Sequence, residues 1–252
     1  MEIVMSSHAS SYISPTWPAP SSVRAYVSTR IGGVSSVPFD SLNLGLHVQD
    51  DPAAVQQNRQ LFSSYIDMPD STTWLNQVHG TDVACLPCES LPDSADAAVS
   101  HTKNQVCAVL TADCLPVFFC NQAGTQVAVA HAGWRGLCAG VLESTLAKFD
   151  EKENVMVWFG PAIGPNAFEV GDEVREAFVS VIPDAAAAFK PAQEAGKWLG
   201  DLYLLAKQRL VVAGVMQIYG GDYCTFTDEA RFYSYRRDGK TGRMASVIWV
   251  AE

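Results

Sequence analysis

The chain has 252 residues, 48% of them hydrophobic, and carries 17 Lys plus Arg against 27 Asp plus Glu, for a net charge of −10. A chain of this size and composition buries a large core, and its acidic balance excludes non-specific binding to nucleic acid or to an anionic membrane surface, so any anion site has to be built locally. No apolar run reaches the length of a membrane span, residues 1–22 lack the pattern of a signal peptide, and seven cysteines in a long chain read as reduced thiols; the expectation is a cytoplasmic protein with no disulfide framework.

In chain order, residues 23–29 alternate towards a strand that runs into Arg30-Ile31-Gly32-Gly33, read either as a hairpin turn with a surface arginine or as a cation placed beside a flexible anion-binding loop. Residues 42–47, which include Asn43, are broken by glycine and read as a loop. Asp51 before Pro52 predicts the N-cap of a helix reaching to about Ile66. Residues 74–80 predict a short strand that ends at His79-Gly80. Cys85 and Cys88 have the spacing of a redox or zinc pair, but no second pair accompanies them and the spacing is read as coincidental.

Residues 95–99 and 105–110 predict strands, the second feeding into Asp113 and Cys114. Two Val- and Phe-rich runs, 115–120 and 126–130, flank a turn at Asn121, Ala123 and Gly124 and predict a hairpin. Antiparallel pairing brings the outer ends of such strands together, so Cys114 and His131 can meet as a nucleophile and base or as half of a metal site. Residues 137–149 have helical spacing, which puts His131 in a strand-to-helix connection. Residues 155–159 read as a buried strand opening into the Gly-Pro-rich loop 160–165, a turn or a substrate-contacting loop. Helical spacing over 171–181, 184–189 and 199–212 predicts a packing layer. Residues 215–219 predict a strand, and 232–237 with 244–250 a closing hairpin.

Seven runs, STRIGGVS (28–35), LNLGLHVQDDP (42–52), NQVHG (76–80), TADCLPV (111–117), HAGWRG (131–136), GPAIGP (160–165) and YSYRRDGKTGRMASVIW (233–249), together resemble the YfiH-like family, also called the laccase-domain or multicopper polyphenol oxidase family. The resemblance spans nearly the whole chain. It implies a single α/β domain over residues 23–252 after a partly ordered extension over 1–22, with mixed sheets of the α+β type flanked by helices. The implied fold is related to the cysteine-hydrolase domain of a bacterial cytotoxic necrotising factor.

Carried over to this sequence, the family's metal site falls on His79, Cys114 and His131, which also serve as the catalytic residues. One thiolate and two imidazoles suit Zn²⁺ and leave a fourth position for water or substrate; Cu²⁺ would fit the same donors. Asp113 or Gln77 are available to support the ligands. The resemblance implies phosphorolysis of adenosine, inosine, guanosine and S-methyl-5′-thioadenosine, and hydrolytic deamination of adenosine, by a monomer or small homo-oligomer. Arg30, Asn43, Gln77 and Arg135 are the expected substrate contacts, with Arg236 and Arg237 either further cations for phosphate or exposed turn residues.

Five histidines in the whole chain are too few for a mononuclear plus a trinuclear copper centre, so phenol oxidation by copper-loaded protein is expected only as a side activity. The rival expectation drops the metal: Cys114 as nucleophile and His131 as base would make an amidase acting on peptidoglycan precursors. A purely structural zinc site would need four protein ligands, and three are in hand.

Overall fold

The structure is a computed structural model and describes residues 11–88, 90 and 92–252. Its strands are β1 (Tyr12–Ile13), β2 (Val23–Ser28), β3 (Thr72–Trp74), β4 (Val83–Leu86), β5 (Ala97–Ser100), β6 (Val106–Thr111), β7 (Leu115–Asn121), β8 (Val127–Ala132), β9 (Val155–Phe159), β10 (Glu169–Gly171), β11 (Phe189–Pro191), β12 (Lys197–Gly200), β13 (Gln217–Gly220) and β14 (Met244–Val250). The helices are α1 (Pro52–Tyr65), α2 (Trp134–Ala139), α3 (Val141–Leu146), α4 (Asp172–Val181), α5 (Leu202–Val212) and the single turn α6 (Tyr235–Asp238).

Two mixed sheets carry the fold, one ordered β1-β2-β14-β6-β3 and the other β13-β9-β7-β8-β5-β4, with β10-β12-β11 forming a small third sheet. Strands β5, β6, β8, β9 and β14 are buried at every position, which is why they read as unbroken apolar runs rather than as alternating ones. The two large sheets pack face to face over a core that includes Val27, Val109 and Ile248 from one and Phe118, Val129 and Trp158 from the other. The outer face of the second sheet is covered by α2 to α5 through Leu137, Leu142, Val174 and Leu205. The outer face of the first is covered by α1 and the loop before it, through Phe62, Leu42 and Leu44. The result is a four-layer α/β/β/α arrangement, the mixed α/β class expected.

Asp51 caps α1 as expected, its side chain accepting the Ala53 N–H. Several other elements differ. Residues 137–149 form two short helices because Gly140, at φ +107°, closes α2 in the left-handed region before α3 begins. Residues 183–188 wind as a 3₁₀ turn, which stacks Ala185 and Ala188 on one buried side. No closing hairpin forms: β14 is flanked by β2 and β6, while Phe232 and Tyr233 are buried and Ser234 caps α6. Residues 28–35 are not a hairpin either, since β2 pairs with β1 and β14. The strand expected over 74–80 ends at Trp74. Of the N-terminal extension, 1–10 lie outside the described residues; Tyr12 and Ile13 pair with β2.

Candidate functional site

The chain leaves the first sheet at β6 and enters the second at β7, and Cys114 sits at this crossing. The β7–β8 hairpin aligns Pro116 with His131, so the thiol and the imidazole meet at its open end as the strand pairing requires. His131 lies inside β8 rather than in the connection after it, and is 3% exposed. His79 arrives from the segment leaving β3, where its φ of +61° turns the side chain back over the hairpin. Its Nε2 is 3.7 Å from Cys114 Sγ. The ligand atoms of His79, Cys114 and His131 all lie within 4.8 Å of one another.

Glycine makes this approach possible. A Cβ on Gly133 would stand 2.5 Å from His79 Cδ2 and 3.1 Å from Cys114 Sγ, and one on Gly136 would stand 2.8 Å from the Gly80 carbonyl oxygen. These glycines of HAGWRG are required by close packing as much as by the turn that the sequence reading assigned to them.

The charges reinforce the pair. Burial pushes the Cys114 thiol up, but the adjacent His131 charge and hydrogen bonds from His131 and His79 outweigh it and bring the thiol down to about 6. Burial likewise disfavours imidazolium at His131, and the Cys114 thiolate with the Asp96 hydrogen bond reverses this, raising it to about 9. Metal-free, the two rest as thiolate and imidazolium.

Asp96, which the sequence reading passed over, stands where Asp113 and Gln77 were expected. The register of β5 on β8 places it beside His131, whose Nδ1 lies 2.7 Å from Asp96 Oδ1. Burial raises its carboxyl, but the His131 bond and the Gly80 and Val78 N–H groups hold it below its ordinary value. Asp113 instead accepts the Thr225 hydroxyl and the Arg236 N–H, and Gln77 spends its amide on the Leu110 N–H and carbonyl, acting as an extra rung beside β6. The buried 160–165 loop backs the site from behind, Ile163 donating its N–H to the Asp113 carbonyl.

The three residues open into a cleft of about 730 Å³ lined also by Leu46, His47, Arg59, Trp74, Asn76, Gln77, Tyr235 and Arg243. No carboxylate is among the lining residues. The Arg59 guanidinium stacks 3.9 Å from the centre of the Trp74 ring and donates Nε and Nη2 to the Leu44 carbonyl. Arg243 donates Nη1 to the Thr241 and Gly242 carbonyls, and its backbone N–H is held by buried Asn43. Burial lowers Arg59 to about 10 and lowers Arg243 too, and both stay charged at neutral pH. His47, pressed by burial and then by Arg243 and Arg59, is held below its ordinary value and is neutral there.

Of the four expected substrate contacts, only Gln77 lines this cleft. Arg30 pairs with Asp40, donates to the Asp40 and Glu229 carbonyls and lines a separate hollow. Asn43 is buried, with its side chain bonded to Gly45, Asp50 and Arg243. Arg135 is exposed against Trp134. Arg237 is spent on Asp238 and three backbone carbonyls, and Arg236 donates to the Glu169 carbonyl. Arg59 and Arg243 carried no signal beyond their type, because nothing local links residue 59 of a helix to residue 243 before a strand. Among the remaining thiols, Cys85 and Cys88 are both free and exposed.

No helix among the described residues is long and apolar enough to cross a membrane. Residues 24–251 match the family described as multi-copper polyphenol oxidoreductase laccase. The chain is 58% identical over 243 residues to the purine nucleoside phosphorylase YfiH of Escherichia coli (strain K12), covering 96% of this chain and 99% of that protein. It is 52% identical to the purine nucleoside phosphorylase PA4543 of Pseudomonas aeruginosa, with the same coverage of 96% and 99%. Among solved structures it resembles the Neisseria meningitidis protein NMB0706 (TM-score 0.90, 47% identity, 96% of this chain and 100% of that one) and YlmD from Geobacillus stearothermophilus (TM-score 0.90, 30% identity, 97% of each). With the match running from β2 to the end of β14 and the His-Cys-His group formed at its centre, the chain belongs to the YfiH-like, laccase-domain family.

Proposed function

We propose that the protein is a purine nucleoside enzyme that phosphorolyses adenosine, inosine, guanosine and S-methyl-5′-thioadenosine and deaminates adenosine hydrolytically in the cleft above Cys114. The observation that carries this reading is the meeting of a His-Cys-His group with two guanidinium groups and no carboxylate in one cleft of a chain with net charge −10. The names of the relatives point the same way.

The donor set fits a metal. Two imidazoles and a low-lying thiol with ligand atoms within 4.8 Å of one another are what zinc takes, with one tetrahedral position left over, and copper competes for the same donors. A zinc ion held by His79, Cys114 and His131 would supply Lewis-acid charge beside the bound substrate.

The chain's own groups do the rest. Arg59 and Arg243 hold the phosphate dianion, Arg243 through Nε and Nη2, and keep it against the ribose anomeric carbon. In phosphorolysis the bond from that carbon to the purine nitrogen breaks, a phosphate oxygen bonds to the carbon, and the base leaves with the electron pair and takes up the proton that the hydrogen phosphate dianion gives up. Tyr235, Leu46 and Leu75 give the base apolar walls to lie against. In deamination water adds at the ring carbon bearing the amino group and ammonia leaves. Asp96 keeps a proton on His131 Nδ1, so that His131 works through Nε2 in either reaction.

One observation favours a second reading. In metal-free protein Cys114, His131 and Asp96 line up as nucleophile, base and orienting carboxylate, the arrangement of a cysteine amidase, with peptidoglycan precursors as its expected substrates. The test incubates zinc-loaded protein with adenosine, with and without phosphate, and resolves adenine, inosine and hypoxanthine by chromatography. Adenine that forms only with phosphate reports phosphorolysis, and inosine reports deamination. Unchanged adenosine under both conditions would overturn the nucleoside reading, and amide cleavage by metal-free protein would replace it with the second.

A further inference from the structure

The 78–80 segment lies in the connection from β3 of the first sheet to β4 of the second, and a single buried carboxylate fastens it to β8. Asp96, 0% exposed, accepts the Val78 and Gly80 N–H groups on Oδ2 at 3.1 and 2.7 Å, and the His79 N–H and His131 Nδ1 on Oδ1 at 2.9 and 2.7 Å. Three successive N–H groups turned to one side give the chain the bend at which His79 adopts φ +61°. In the same stroke the fourth bond fixes the tautomer and ring orientation of His131. The two imidazoles end up edge to face with their centroids 4.7 Å apart. Without the carboxylate the 78–80 bend loses its hold: those three N–H groups have no other acceptor among the described residues.

We infer that Asp96 is the positioning residue that sets both imidazoles at once, so that the His79, Cys114 and His131 donors converge before any metal arrives. A carboxylate beside one metal-bound imidazole tunes that ligand alone; here the same group also builds the backbone from which the second ligand projects. Asn cannot replace it. The amide offers one acceptor oxygen, and its NH₂ would face either the Val78 and Gly80 N–H groups or the His79 N–H together with His131 Nδ1, so buried backbone donors go unsatisfied and, in the second case, His131 is driven to the other tautomer. This inference rests on the metal-holding role of the three residues, and its test involves no nucleoside, so loss of nucleoside chemistry would be seen separately.

The experiment measures zinc affinity by chelator competition for the full chain and for Asp96→Asn, with far-ultraviolet circular dichroism and the melting temperature of the metal-free form as the measure of folding. A folded Asp96→Asn protein should bind zinc about 10- to 100-fold more weakly. Cobalt(II) should then give a thiolate-to-metal band with altered ligand-field bands, because Cys114 remains while the imidazoles lose their setting. Zinc affinity and cobalt spectrum equal to the parent's in a folded variant would overturn the inference. If Asp96→Asn does not fold, the parent decides: uniformly ¹⁵N-labelled, zinc-loaded protein should show a slowly exchanging proton on His131 Nδ1, and the Val78, His79 and Gly80 amides should be protected with and without zinc. Protection that appears only with zinc, or no such ring proton, would mean that the metal and not Asp96 sets the ligands.

Discussion

Asp113 accepts the backbone N–H of Arg236 at 2.7 Å, and through it the residue before Cys114 is fastened to the helical turn that carries Tyr235. The other oxygen takes the Thr225 hydroxyl at 2.6 Å. Asp113 sits at φ +86°, a conformation that costs a non-glycine residue energy and persists where the surroundings impose it. Asp113→Ala should therefore lower stability by about 2–4 kcal/mol, since a buried and a partly buried hydrogen bond to its carboxyl group are lost and their donors are left without a partner. Urea unfolding of the two proteins checks this, and equal midpoints would show that the clasp contributes nothing.

Arg243 and Arg59 replace Arg30 as the cations to test. Arg243→Ala and Arg59→Ala should each raise the KM for phosphate at least tenfold while changing that for nucleoside less, a loss on the order of 1.5–3 kcal/mol for a charge-assisted contact. Arg30→Ala should leave the phosphate KM unchanged, because Asp40 and the Asp40 and Glu229 carbonyls already occupy its guanidinium. An Arg30→Ala enzyme with a raised phosphate KM and an Arg243→Ala enzyme without one would move the anion to the other hollow.

The Cys114–His131 pair gives the metal-free protein a defined pH dependence. Folding lowers the thiol from 9.0 to about 6 and raises the imidazole from 6.5 to about 9. The thiol's contribution is complete above its ordinary value and disappears as pH falls through about 6, and the imidazole's is complete below 6.5 and disappears as pH rises through about 9. Between 6.5 and 9 the folded ion pair and the unfolded neutral pair hold the same number of protons, so the contribution is flat there. The Cys114 thiolate of metal-free protein, read as the ultraviolet absorbance of the parent less that of Cys114→Ala, should appear as pH rises through about 6 and be complete within that window. A thiolate signal that appears only as pH rises through 9.0, the ordinary value, would mean that the pair is not ionised at neutral pH.

Zinc should protect the same thiol. Iodoacetamide should modify Cys114 in metal-free protein at pH 7 and spare it in zinc-loaded protein, whereas Cys107 and Cys120, buried and with their thiols pushed up by burial, stay unmodified in both. Cys114→Ser should lose zinc and nucleoside turnover together, since a neutral hydroxyl is a weak zinc ligand. Peptide mapping and metal content read both outcomes. Full turnover in a zinc-free Cys114→Ser protein would remove the thiol from the chemistry.

How much of this was legible in the sequence follows from how local each signal is. The β7–β8 hairpin and the meeting of Cys114 with His131 were readable because both ends lie within one turn-connected unit. The α1 cap was readable for the same reason. Asp96 was not, since its role depends on the register of β5 against β8 and on a bend coming from the other sheet. The Arg59 and Arg243 pair is likewise assembled by packing α1 and the loop before β14 around one cleft. The closing hairpin failed because an apolar run shows that β14 is a strand and says nothing of its partners, which turned out to be β2 and β6.

Tyr235 offers the last prediction. It is 61% exposed, it lines the cleft, and among the exposed large hydrophobic side chains of the described residues it is the aromatic one. An exposed ring is costly to leave in water and serves as a stacking face for a flat base. Trp74 is the other aromatic lining residue, and the Arg59 guanidinium already lies over one face of it. Stacking on an aromatic side chain is worth about 1–3 kcal/mol per base, so Tyr235→Ala should raise the nucleoside KM roughly 5- to 150-fold. Tyr235→Phe keeps the face and should behave like the parent. The Arg243 guanidinium stands 5.8 Å from the Tyr235 ring, so the variant could also disturb the anion contact. The phosphate KM separates the two: it should change far less than the nucleoside KM if Tyr235 binds the base, and in step with it if the ring only props the arginine. Zinc content should be the same in all three proteins. A Tyr235→Ala enzyme with the parent's nucleoside KM would show that the purine binds elsewhere in the cleft.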